Sequence, residues 1–292
     1  MPGPVHPRDA VPLRSAPAST STTSTTSTPG PGRRLLGRAR RLGTRGLVGA
    51  FALVLALPGI ALAAPPPALP ASHTEAEGTW QPAFDYDTDG CYPTPAIGPD
   101  GTLNGGLKTS GALNGNCRDR SDLDNTNSYA RSRCDASGWC AYMYGLYFEK
   151  DQVLPGCCGH RHDLEHVVVW VRDGEARYVS ASAHGDYDTR PADQVRWEGT
   201  HPKIVYHKDG ASTHAFRFAA GHDDPPENHY GVWQYPDLVG WDHFPPGLRD
   251  ALASADFGSA QLDLRDDRFG SALERARPAG IDFDPHAQDA RL

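Results

Sequence analysis

The chain has 292 residues with 28 basic and 36 acidic side chains, a formal −8 at pH 7, and the charge is unevenly spread. Residues 1–63 hold eight arginines and one acid, so the rest carries 20 basic and 35 acidic residues, a formal −15. Such an acidic body argues against nucleic acid, whose phosphates need clustered Lys and Arg, and against plain anionic lipid unless a divalent cation intervenes.

From the N-terminus, a Ser/Thr run over 19–28 and arginines at 33, 34, 38, 40, 41 and 45 precede an apolar segment over 47–63 that ends Ala61-Leu62-Ala63. Basic, apolar and small-residue regions in that order predict a secretory signal over 1–63, cleaved near Ala63. The rival, an uncleaved anchor, suffers from a 17-residue span interrupted by Pro58-Gly59. The basic region is long: either the assigned start lies too far upstream, or paired arginines mark a twin-arginine export route. A Pro/Ala-rich linker is expected over 64–79 and one domain over 80–292, an ordinary size for a single core.

All six cysteines, at 91, 117, 134, 140, 157 and 158, lie in the exported part, as disulfides would. Cys91 and Cys117 bracket a Gly/Asn-rich loop over 98–116. Cys134, Cys140, Cys157 and Cys158 allow three pairings, and no CxxC spacing supports a zinc site. A helix is expected over 119–131, strands over 141–148, 166–172, 176–181, 203–207 and 214–218, and helices over 246–253 and 271–277. Short aromatic and β-branched segments punctuated by Gly, Pro and Asp predict a mainly β, mostly antiparallel β-sandwich with a few peripheral helices.

The densest chemistry is GHRHDLEH over 159–166, directly before the apolar run Val167-Val168-Val169-Trp170-Val171. Strand alternation places Arg161, Asp163 and Glu165 on one face and His162, Leu164 and His166 on the other. Two carboxylates on one face repel unless a cation lies between them, and His160 can reach in from the preceding turn. Carboxylates with one imidazole suit a hard cation, Ca2+ or Mg2+. Arg161, always cationic, is expected to orient a carboxylate or shape the cavity wall, and His162 to hydrogen-bond behind the ligands. Without a metal, the cluster reads as a salt-bridged strand end. His184, His207, His214, His222 and His229 are isolated and read as surface or hydrogen-bonded residues. The aromatics Trp233, Tyr235, Trp241 and Phe244 read as core.

Taken together, these segments resemble the necrosis- and ethylene-inducing-like protein family, whose heptapeptide GHRHDWE stands here as GHRHDLE over 159–165. The likeness extends to CYPTPAIGPDGTLNGGLKTSG (91–111), NCRD (116–119), AYMYGLYFEKD (141–151), EHVVVWV (165–171), ASAHGDY (181–187), HPKIVYHKDG (201–210), THAFRF (213–218), LVGWD (238–242) and FGSAQLDLRDDRF (257–269). The resemblance implies a β-sandwich like that of actinoporins and fungal lectins. It implies a divalent cation held by Asp151, His160, Asp163 and Glu165, and a disulfide between Cys91 and Cys117. The stretch between Asp151 and His160 is one residue longer than the family's and carries Cys157-Cys158.

The function implied by resemblance is a secreted toxin without enzyme activity. It would bind the sugar head groups of glycosylinositol phosphorylceramides on the outer leaflet of plant plasma membranes, causing leakage and necrosis. A plant immune receptor would recognise the stretch over 141–161. Leu164 stands where the family has tryptophan, which removes a large aromatic and opens the alternative of a non-toxic, lectin-like member. A metal-dependent hydrolase is the remaining alternative. HRHD superficially resembles HxHxDH, but here the Asp directly follows the second His and no second His/acid set completes the site.

Overall fold

Residues 64–291 are described by the computed structural model, and the signal expected over 1–63 lies outside them. Helix α1 (Glu75–Trp80), strand β1 (Ala83–Tyr86) and the one-turn helix α2 (Arg120–Leu123) come first. Strands β2 (Asn127–Cys134), β3 (Trp139–Leu154), β4 (Cys157–Arg172), β5 (Glu175–Ala183) and β6 (Asp186–Pro191) follow. Then come β7 (Trp197–Glu198), β8 (His201–Lys208), β9 (His214–Phe218) and β10 (Asp237–Gly240), with helices α3 (Leu248–Ala253) and α4 (Phe269–Ala276) last.

The first sheet has the order β10-β2-β3-β4-β5-β6, antiparallel except for the parallel β10–β2 pair. In the second, β8 pairs parallel with β1 and antiparallel with β7 and β9. Alternation along β3 and β4 builds two cores. Tyr144, Leu146 and Phe148 of β3 and Val167, Val169 and Val171 of β4 meet Phe84, Ile204, Tyr206 and Phe216 of the second sheet. On the opposite face Met143, Tyr147, Leu164, Val168 and Trp170 pack with Leu252, Phe269 and Leu273 of the C-terminal helices. Burial on both faces is why β4 reads as an unbroken apolar run.

The sandwich is thus mainly β with few helices, but both sheets are mixed, because β1 and β10 join in parallel. All five expected strands are present. Of the helix expected over 119–131, only α2 forms; the rest turns into β2, with Tyr129 fully buried. The stretch over 64–79, expected as a linker, is docked. Leu69 is buried, the amides of Ala68 and Leu69 donate to Asn125 and Asn127, and Ser72 bridges Val239. The disulfides are Cys91–Cys117, Cys134–Cys140 and Cys157–Cys158.

Candidate metal centre

The site lies on the long β3–β4 hairpin, two 16-residue strands. Along β4, strict alternation would put His160 and Asp163 on opposite faces. They share a site because His162, at φ +62°, breaks the alternation. Asp151 pairs with His160 across the ladder and turns the same way. The kink is clamped from both sides. The Tyr147 hydroxyl and His162 Nδ1 are 2.6 Å apart. Gly106, at φ +61°, lies so close that a Cβ would fall 2.7 Å from Arg161 Cγ and His162 Nδ1.

Ligand atoms of Asp151, His160 and Asp163 all lie within 4.8 Å of one another. Each is held by its own partners. The His214 amide donates to Asp151 Oδ2 at 2.8 Å, and His214 Nδ1 donates to Oδ1 at 2.6 Å. His160 Nδ1 donates to the His162 carbonyl at 2.7 Å, which leaves Nε2 with the lone pair a metal needs. Tyr206, stacked on Phe148 at 3.8 Å and on His214 at 5.1 Å, donates its hydroxyl to Asp163 Oδ2 at 3.0 Å. Glu165 lies beside the triad, outside the 4.8 Å set, and accepts from the Ser182 hydroxyl.

Burial and the neighbouring Asp151 charge push the Asp163 carboxyl up to about 6, against His160 and the Tyr206 hydrogen bond. Burial, and then the Asp163 charge, hold Glu165 well above the usual carboxylate range. Buried acids that repel one another, with oxygen donors and one neutral imidazole preset by outer partners, fit a hard divalent cation.

A cavity of about 320 Å3 opens here, where β5 leaves β4 beyond the Val167–Ala181 pair. Both faces of the uncovered strand reach it: His160, Asp163 and Glu165 on one side, Leu164 and His166 on the other.

The four expected ligands are therefore brought together, three tightly and Glu165 adjacent. Arg161, expected to orient a carboxylate or shape the cavity wall, lies outside the cavity, because the kink swings it toward Gly106, where it donates to the Gly105 carbonyl at 3.2 Å. His162, expected to hydrogen-bond behind the ligands, holds His160 through its carbonyl and meets Tyr147 through its ring. His214 and Tyr206 were not singled out as site residues. Their signal was the apolar alternation of β8 and β9, which turns Tyr206, His214, Phe216 and Phe218 inward.

The family model described as Necrosis inducing protein (NPP1) matches residues 74–276. NLP effector protein 3 of Phytophthora capsici is 35% identical over 197 residues, 65% of this chain and 78% of that protein. Among solved structures, NLPPya in complex with mannosamine aligns with a TM-score of 0.62 at 32% identity, covering 72% of this chain and 95% of that one. The non-toxic HaNLP3 protein aligns with a TM-score of 0.63 at 28% identity, covering 74% and 99%.

Proposed function

Since the chain belongs to the necrosis inducing protein family, NPP1, we propose that it is a secreted, divalent-cation-dependent cytolysin-like toxin of plant membranes. The observation that carries this reading is the Asp151, His160 and Asp163 triad at an open cavity of about 320 Å3, within the range of small-molecule sites. His214 fixes Asp151, the His162 carbonyl fixes the His160 tautomer, and Tyr206 orients Asp163, so the three donors are preset before anything binds. A bound Ca2+ or Mg2+ supplies coordination positions for sugar hydroxyls. The surrounding side chains then select the head group, which we take to be that of a glycosylinositol phosphorylceramide in the outer leaflet. The reading requires no bond-breaking step. The mannosamine complex of NLPPya supports a sugar as ligand.

A second reading, a lectin-like binder that does not damage membranes, is favoured by Leu164 and by a fold likeness to the non-toxic HaNLP3 (TM-score 0.63) close to that to NLPPya (0.62). Ion leakage from dicot leaf tissue infiltrated with the exported protein separates the two. Leakage that stops with chelator and falls at least tenfold in Asp163→Asn supports the cytolysin. Folded, cation-loaded protein that binds head groups without leakage supports the binder. Failure to bind any head group overturns both.

A further inference from the structure

The cavity has a second wall of opposite sign. Asp263, 5% exposed, accepts from Arg268 Nε at 2.9 Å and from Arg275 Nη2 at 2.6 Å. Arg268 sits at the N-terminal end of α4 and Arg275 in its last turn, so one helix delivers both guanidinium groups to one carboxylate. Two such groups on one carboxylate leave a net positive charge. Each uses a single nitrogen on Asp263, so the rest of each guanidinium fork stays free to donate to a ligand. Among the described residues the Arg268 guanidinium makes no other hydrogen bond, and that of Arg275 only a long one to the Ser271 carbonyl at 3.4 Å. Both side chains line the cavity and remain about one-third to two-fifths exposed, at 32% and 41%. His166 lines the same space, with its Nε2 buried and without a hydrogen-bond partner among the described residues.

We propose that Arg268 and Arg275 form an oxyanion subsite, so that the cavity takes an acidic saccharide. The sugar's hydroxyls face the Asp151, His160 and Asp163 end and its carboxylate or phosphate meets the two arginines. This inference rests on the sugar-binding reading above and names the class of sugar. The acidic wall alone would favour an amino sugar, whose ammonium it attracts. The arginine pair opposes that ammonium and rewards a negative group placed on the same ring.

The test is calorimetric titration of the exported protein, loaded with Mg2+, with glucuronate, glucose 6-phosphate, glucose and glucosamine. Either acidic sugar should bind at least tenfold more tightly than glucose, and glucosamine no more tightly than glucose. The first two arms tell a carboxylate from a phosphate. In the double variant Arg268→Gln, Arg275→Gln the acidic preference should vanish while glucose affinity stays unchanged. Should that variant not fold, competition with inorganic phosphate on the unaltered protein reads the same subsite. Phosphate should weaken glucuronate binding and leave Mg2+ affinity unchanged. Equal affinity for glucuronate and glucose, a preference that survives in the glutamine variant, or no effect of phosphate would each overturn the subsite while leaving sugar binding intact. Mg2+ binding with no sugar bound at all would overturn the sugar-binding reading and the subsite with it.

Discussion

Asp163 and Glu165 were legible as a pair from their spacing, and Leu164 between them as a residue turned away into the core, where it is 7% exposed. Their electrostatics set a pH dependence. Asp163 rises from an ordinary value near 3.8 to about 6, and Glu165 moves the same way. In the cation-free protein the folded state therefore binds more protons than the unfolded chain. Asp163's contribution is fully present below about pH 4 and is lost as pH rises through about 6. A divalent cation requires the deprotonated forms, so its stabilisation grows over the same window. The gap in melting temperature between cation-loaded and chelated protein should widen by several degrees from pH 5 to pH 7.5. Asp87 and Glu149, raised to about 6 and about 7 by burial, also titrate there, but they sit in both samples and cancel in the difference. A gap of equal size at the two pH values would remove the triad as the binding site.

Elements were readable where pattern and packing agree. The valine run of β4 and the inward Phe216 and Phe218 of β9 announce strands because nothing competes with their period. Strand β2 was hidden because Arg131 and Arg133 occupy its outer face, their guanidinium carbons 4.6 and 5.0 Å from the Phe269 ring, so burial there looks polar in sequence. The break at His162 was also invisible, because it depends on contacts with Gly106 and Tyr147, far away in the chain. That break is what lets His160, expected to reach in from a preceding turn, join Asp163 from within β4 itself, while Arg161, its face-mate by simple alternation, is turned away. The hairpin accommodates it through Gly159, at φ +119°, where a Cβ would stand 2.1 Å from the Asp151 carbonyl oxygen. Backbone cannot yield as a flexible side chain can. Gly159→Ala is therefore expected to cost about 2–4 kcal/mol and to move Asp151 and His160 apart. Denaturant unfolding should show the loss, and calorimetry a cation affinity at least tenfold weaker. An alanine variant with unaltered cation affinity would show that the hairpin does not set the site.

At the scale of the whole molecule, a segment that belongs to neither sheet ties the hairpin to the body. The loop over 98–116 is closed at its foot by the buried Cys91–Cys117 disulfide. Along its length it grips the hairpin. The Leu107 amide donates to Glu149 at 2.8 Å, Lys150 Nζ to the Ala112 carbonyl at 2.9 Å, and the Gly156 amide to the Gly111 carbonyl at 2.7 Å. Lys150 is almost wholly buried, so freeing this loop strands a charge as well as backbone groups. The disulfide thus acts on the cation site at a distance, by restricting a loop that braces the kink. Closing 26 residues is worth about 3–4 kcal/mol in chain entropy, and closing the six between Cys134 and Cys140 about 2 kcal/mol. Removing either bridge as an alanine pair should lower stability in that order. Only Cys91→Ala with Cys117→Ala should also weaken cation binding, by threefold or more, because Cys134–Cys140 closes the far end of β2 and β3. Parallel titrations of the two folded variants decide it. If both bind the cation alike, the bracing loop is a passive cover and the triad is fixed by the hairpin alone.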